Sequence, residues 1–240
     1  RGKESRRGAA FVFESHHEWE MTRTIAIEAA LREGDLEAEL YPVFQPQYSL
    51  SEDRIVGFEA LARWNSPVVG ETRPDIFIRA AERSGHIRRI TGILFDKALA
   101  ECRQWPEELS MSFNLSAQDL SDPALARDLL ARIEAADVAT GRIEFEITET
   151  AAMHDMATTR ALMSELSKAG CRIALDDFGT GYSSFRYIDQ LPLNKIKIDR
   201  SFVSRIPNNA TSRAIVQAIL DLCRKLGLNC VLEGVETETD

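Results

Sequence analysis

The sequence predicts an α/β fold built on a mostly parallel sheet, either doubly wound or closed into a barrel. Three observations carry this prediction. Short apolar runs of β type alternate with longer stretches of helical periodicity along the whole chain. No internal repeat and no long Pro/Gly/Ser linker divides them, and the 240 residues suit one large single-core domain or one and a half ordinary ones. Acidic or amide side chains also stand near the C-terminal end of one strand candidate after another.

The strand candidates, in order, are YPVFQP (41–46), IVGFEAL (55–61), MSFNLS (111–116), IEFEIT (143–148), RIALDDF (172–178), KIKID (195–199) and CVLEGV (230–235). Pro74 opens a helix that Gly85 closes, because proline suits the first helical turn and glycine takes the left-handed cap. Ser121-Asp122-Pro123 reads as a cap before a helix whose apolar face carries Leu125, Leu129, Leu130 and Ile133. A further helix runs from about Met156 to Lys168 and stops at Gly170. The last runs from about Asn209 to Leu226, with Gly227 as its C-terminal cap.

Composition removes several classes of function. The chain is 44% hydrophobic and 28% charged, close to the globular average, which excludes disordered and low-complexity classes. No apolar run approaches the ~20 residues of a membrane helix, and the basic start RGKESRRGAA leads into no apolar stretch of signal-peptide type. We therefore expect a cytoplasmic domain, attached to a membrane only through regions outside this chain. The net charge of -9 makes duplex nucleic acid a poor partner, since each phosphate contact needs a cation. It leaves room for a small anionic ligand where metal ions cancel the local charge. Cys102, Cys171, Cys223 and Cys230 form no CxxC pair and read as reduced thiols. The histidines, at 16, 17, 86 and 154, lack metal-site spacing.

The functional information lies at the strand ends: Glu59, Asn114, Glu146 and Glu149, Asp176 and Asp177, Asp199, Glu233 and Glu236. One acidic strand end is ordinarily a helix cap or a loop hydrogen bond. Repetition over six strands is not explained that way, because carboxylates crowded in a low dielectric need neutralising. In a barrel these ends would converge on the face where active sites are built. A set of oxygen ligands without His or Cys points to Mg²⁺, Mn²⁺ or Ca²⁺ rather than zinc. The adjacent pair Asp176-Asp177 suits two neighbouring ions with one carboxylate bridging, a clamp for in-line displacement at phosphorus. DFGTGYSS (177–184) reads either as a mobile loop over that site or as an ordinary strand-to-helix turn. Alternation in KIKID places Lys195, Lys197 and Asp199 on one face. A lysine there either is a structural counter-ion or holds charge that develops in the reaction.

These residues also carry a resemblance. FEALARW (58–64), with Glu59-Ala60-Leu61, resembles the signature of the EAL-domain cyclic-di-GMP phosphodiesterases. QPQ (45–47), FNLS (113–116), EITE (146–149), DDFGTGYSS (176–184), KIKID (195–199) and EGVE (233–236) resemble the family's remaining motifs in the same order. The resemblance covers residues 21–240 and implies a modified TIM-type (β/α)₈ barrel with an antiparallel first strand. It implies metal-dependent hydrolysis of cyclic di-GMP to linear pGpG, supported by Mg²⁺ or Mn²⁺ in a two-metal site and inhibited by Ca²⁺. Glu59, Asn114, Glu146 and Asp176 look like ligands of the first metal, Asp177 with bridging Asp176 like the second-metal set, and Glu233 like a further ligand. Lys197 looks like the residue that orients the attacking water, and Glu149 like the glutamate that braces the 177–184 loop. Arg63 and Gln45 look like substrate contacts, and Glu236 like the second glutamate of EGVE, at the edge of the substrate pocket.

The sequence departs from the family pattern at Phe185, where a leucine is usual. It also stops at Asp240, before the family's last strand, so the eighth barrel strand is expected to be missing from this chain. Residues 8–23, GAAFVFESHHEWEMTR, resemble the closing strand and exit helix of a GGDEF-type domain, which makes residues 1–20 the tail of such a domain or a linker. The family also implies a homodimer. Set against the enzyme is a different class, a catalytically silent receptor that binds cyclic di-GMP and regulates a partner. Many silent members have lost metal ligands, and every ligand position that can be matched here is filled.

Overall fold

In a computed structural model, residues 15–179, 188–206 and 209–235 are described, with side chains from residue 22 onward. The predicted alternation is realised as one curled sheet. Strand β1 (Leu40–Ser49) runs antiparallel to β2 (Arg54–Ser66), and a short β3 (Gly70–Thr72) folds back on the end of β2. From β2 the sheet continues in parallel through β4 (Ser110–Leu115), β5 (Ile143–Thr148), β6 (Arg172–Phe178), β7 (Lys195–Ile198) and β8 (Asn229–Leu232). Among the described residues the main path thus holds seven strands in the order β1-β2-β4-β5-β6-β7-β8, and β8 pairs with β7 alone. The sheet is curled enough for the Lys195 ammonium on β7 to donate to Gln47 Oε1 on β1 at 3.1 Å, near opposite ends of that path.

Period-two alternation sorts the two faces. Met111, Phe113 and Leu115 on β4, Ile143, Phe145 and Ile147 on β5, and Ile196 and Ile198 on β7 are buried against the helical layer. Their neighbours Ser112, Asn114, Glu144, Glu146, Lys195 and Lys197 face the concave interior, where their side chains bond one another. The helical layer consists of α1 (Ser15–Glu33), α2 (Leu36–Glu39), α3 (Pro74–Ser84), α4 (Ile87–Cys102), α5 (Ala117–Leu120), α6 (Leu125–Ala135), α7 (Glu149–His154), α8 (Met156–Lys168), α9 (Arg200–Val203) and α10 (Ala210–Leu226). Phe95 of α4 packs on Phe113 and Phe145 with ring centroids 4.9 and 5.6 Å apart, and Trp64 of β2 meets Phe77 of α3 at 5.6 Å. Trp64 also donates from Nε1 to the buried Glu39 carboxylate at 2.9 Å, which satisfies both groups.

The predicted helix limits at Pro74, Gly85, Met156–Lys168 and Gly227 are found, with Gly85 and Gly227 in the left-handed region at φ 73 and 70°. Asn209 caps α10 by accepting from the amides of Thr211 and Ser212. The segment 121–123 differs from its expected role. Ser121 ends α5, Asp122 closes a turn by accepting from Ala124 N at 2.8 Å, and α6 begins only at Leu125, without a side-chain cap. Proline at 123 fixes the turn rather than the first helical residue. Residues 1–14 lie outside the described part, as does the closing strand expected there. No described helix is long and apolar enough to cross a membrane.

Candidate active site

The site is built around Lys197. Its ammonium lies 2.5 Å from Glu146 Oε2, 2.8 Å from Glu233 Oε1, 3.0 Å from Glu59 Oε2 and 3.2 Å from Asp176 Oδ2. The lysine is 1% exposed and Glu146 0%, so the pairing takes place out of bulk water. Each partner comes from a different part of the sheet: Glu59 from β2, Glu146 from β5, Asp176 from β6, and Glu233 just after β8, where its amide donates to Ile198 O at 3.1 Å. Glu59 is not at a strand end as expected, since β2 runs on to Ser66. It stands instead where the β2–β4 pairing stops, at Ala60 opposite Phe113. Asn114 of β4 joins the set by donating from Nδ2 to Glu59 Oε1 at 2.8 Å.

Adjacent strand residues face opposite sides, so Asp176 and Asp177 should diverge. A bulge in β6 prevents this. Leu175 pairs with Ile196 and Phe178 with Ile198, so three steps along β6 oppose two along β7. Asp177 takes φ 55°, in the left-handed region that non-glycine residues rarely occupy. The amide of Asp177 donates to Asp176 Oδ1 at 2.8 Å. The parity change leaves Leu175 and Phe178 both buried, while the two carboxylates share one neighbourhood with Glu233.

Two carboxylate triads result, Glu59–Glu146–Asp176 and Asp176–Asp177–Glu233, each with one oxygen per residue within 4.8 Å of the others. They share Asp176. Electrostatically the cluster is short of positive charge. Burial, then the nearby Glu59 and Asp176, push the Glu146 carboxyl up to about 8 against the pull of Lys197. Burial first and Asp176 second also raise Asp177 and Glu233. Burial alone would lower Lys197, but Glu146, Asp176, Glu59 and Glu233 together hold it firmly protonated. A donor set of oxygens only, with surplus negative charge and one shared carboxylate, fits hard divalent cations.

The remaining expected residues are placed as follows. Glu149 is buried on the first turn of α7, directly after β5; the loop it was expected to brace lies outside the described residues from Thr180 to Tyr187. Gln45 is exposed and stands directly across the β1–β2 pairing from Glu59. Arg63 is half-buried two pleats beyond Glu59 on the same face of β2, donating to Ala62 O at 2.8 Å. Glu236 lies outside the described residues. Asp199, placed with the lysines by alternation, takes the capping role: its Oδ1 accepts from Ser201 N at 2.9 Å at the start of α9. Sequence reasoning missed a second polar layer beneath the first, made of Gln47, Ser112 and Glu144 with Lys195. The alternation of IEFEIT was its signal, since Glu144 must share the face of Glu146.

A curled, mostly parallel sheet with an antiparallel first strand and a carboxylate cluster in its concave mouth defines a modified TIM-type α/β domain with an acidic, metal-competent site. The model of the EAL domain family matches residues 27–240, and the chain belongs to that family. It is 35% identical over 220 residues to the cyclic di-GMP phosphodiesterase NbdA of Pseudomonas aeruginosa, covering 90% of this chain and 28% of that protein. It is 33% identical to the bifunctional diguanylate cyclase/cyclic di-GMP phosphodiesterase MucR of the same organism, covering 98% of this chain and 35% of that protein. Among solved structures, the PaMucR phosphodiesterase in complex with c-di-GMP superposes with a TM-score of 0.82 at 33% identity, over 88% of this chain and 87% of that one. The chain spans about a quarter to a third of the length of the curated relatives it matches.

Proposed function

We propose that this domain hydrolyses cyclic di-GMP to linear pGpG with the help of Mg²⁺ or Mn²⁺. The observation that carries the proposal is the pair of carboxylate triads sharing Asp176, set around a buried lysine. Glu59, Asn114, Glu146 and Asp176 would hold one ion, and Asp176, Asp177 and Glu233 the other. When bound, such ions supply charge to polarise the phosphodiester and an activated water for attack. Opening the ring then requires water to attack phosphorus in line with the departing ribose 3′ oxygen.

The chain's own residues divide the remaining work. Lys197 keeps the carboxylates at hydrogen-bonding distance and presents a fixed positive charge where negative charge grows at phosphorus. Gln45 and Arg63, on the rim formed by β1 and β2, are the proposed contacts to the dinucleotide. Glu149 is the proposed brace for the loop after β6, and Glu236 is a further proposed substrate contact. The relatives named for this activity, and the PaMucR domain that binds c-di-GMP, support the substrate. A second copy of the chain is the proposed partner in solution.

The test is direct. Incubated with cyclic di-GMP and Mg²⁺ or Mn²⁺, the protein should release pGpG, and a chelator should stop the reaction. Glu59→Ala should abolish turnover while leaving the circular dichroism spectrum unchanged. Binding of cyclic di-GMP without any pGpG, under all these conditions, would assign the domain to the silent receptors instead.

A further inference from the structure

Beneath the proposed metal-binding layer lies a closed ring of hydrogen bonds in which every donation leads away from Lys195 and ends on Glu144. The Lys195 ammonium donates to Glu144 Oε1 at 2.5 Å and to Gln47 Oε1 at 3.1 Å. The Gln47 amide nitrogen donates to Ser112 Oγ at 3.1 Å, and Ser112 Oγ donates to Glu144 Oε1 at 2.9 Å. The Gln47 amide nitrogen also donates to Glu146 Oε1, at an N···O distance of 3.4 Å. Each ring atom therefore has its donor or acceptor role fixed by its neighbours. Turning the Gln47 amide over would set its NH₂ against an ammonium and its carbonyl against a carboxylate, so the orientation is locked.

We infer that Gln47 is a positioning residue for Glu146, oriented by the Lys195–Glu144 pair, and that this ring sets the affinity of the site for a divalent cation. The inference rests on the proposed role of Glu146 as a metal ligand. A carboxylate torsion is broad and roughly two-fold, so a lone glutamate does not hold one oxygen in one place. Glu146 is held at both oxygens, Oε2 by Lys197 and Oε1 by Gln47. The ring draws on β1, β4, β5 and β7, so it also ties the first strand of the sheet to the strand that carries Lys197. Partners of this kind, bonded to a ligand rather than to the metal, typically change metal affinity by about 10- to 100-fold when removed.

The experiment measures Mn²⁺ binding to the protein by calorimetry, without nucleotide. Gln47→Met, close in volume and without a donor, should weaken Mn²⁺ binding about tenfold with an unchanged circular dichroism spectrum. The neutral pair Lys195→Met with Glu144→Gln leaves Gln47 in place but unheld, and should weaken binding in the same direction. Adding Gln47→Met to that pair should produce no further loss, because both act through one bond. Wild-type Mn²⁺ affinity in a folded Gln47→Met protein would overturn the inference and leave the metal site standing. A wild-type protein that binds no Mn²⁺ would overturn both. Should Gln47→Met not fold, the charge-pair variant decides by the same affinity criterion; if neither folds, the ring holds the fold rather than the site, and the inference fails.

Discussion

Lys197 and Asp177 show how much local cost the site carries. Four carboxylates face one ammonium within 3.2 Å, and the lysine is withdrawn from solvent. Removing one partner of a buried ion cluster ordinarily destabilises by about 3–5 kcal/mol, because the other charges stay behind unpaired. Lys197→Met should therefore lower the urea midpoint strongly in chelator, and Mg²⁺ should recover part of the loss by supplying charge. With Mg²⁺ present its turnover should fall roughly 100- to 1000-fold, while cyclic di-GMP binding measured in Ca²⁺ changes much less. An affinity defect as large as the rate defect would reassign Lys197 to substrate binding. Asp177 raises a different point. Its φ of 55° is the condition for a double carboxylate, and asparagine tolerates that region nearly as well. Asp177→Asn should keep wild-type thermal stability to within a few degrees and lose Mn²⁺ affinity; a large fall in Tm would mean that the charge, not the backbone, holds the bulge.

At the scale of elements, the strands were legible because the pleat writes a period of two into IEFEIT and KIKID, and the same period put Lys195 and Lys197 on one face. The helices 156–168 and 209–226 were legible from their caps. What could not be read had physical reasons. The β6 bulge is a pairing irregularity, set by where Leu175 and Phe178 meet β7, and no local residue pattern announces it. Helix α4 escaped because its buried residues, from Ile87 to Cys102, surround most of its circumference and blur the amphipathic stripe. Glu144 was overlooked because its partners Ser112 and Lys195 are 32 and 51 residues away. Short α5 is another such case: Ser116 and Asp119 form a reciprocal capping box, and Asp119 also accepts from Thr91 Oγ1 of α4 at 2.9 Å. Loss of the reciprocal half of the box, the Asp119 carboxylate accepting from Ser116 N, costs about 1 kcal/mol, and the bond to α4 adds a similar amount. Asp119→Ala should thus reduce stability by about 2 kcal/mol in urea denaturation. It should leave Mn²⁺ affinity untouched, since α5 contributes no carboxylate to the two triads; an unchanged midpoint would show that the box adds nothing to the packed protein.

For the whole molecule, the imbalance of charge in the mouth of the sheet couples stability to pH and to divalent ions. Glu146 has an ordinary value of 4.5 when unfolded and about 8 in the folded chain, so between those values the folded state holds the extra proton. Stability then falls as pH rises through that window, because the unfolded state binds fewer protons there. Asp177 and Glu233 are raised for the same reason and add to the fall. Lys197 is raised above 10.5, so its contribution is fully present throughout this range and does not offset it. In chelator, the urea midpoint should therefore decline from about pH 5 to pH 8. Glu146→Gln should flatten most of that decline, since it removes the carboxyl with the largest cost of ionisation. Divalent ions act on the folded state in the opposite sense, because their ligands must be deprotonated and their binding becomes tighter as pH rises. Saturating Mg²⁺ or Mn²⁺ should accordingly cancel the decline or reverse its sign, with a release of protons on binding that calorimetry in buffers of different ionisation enthalpy will show. Ca²⁺ should stabilise in the same way yet support little turnover, since its longer and looser coordination misaligns an in-line attack. A metal-free protein whose stability is flat from pH 5 to 8, with no proton release on adding Mn²⁺, would mean that these carboxylates are neutralised by something other than a metal.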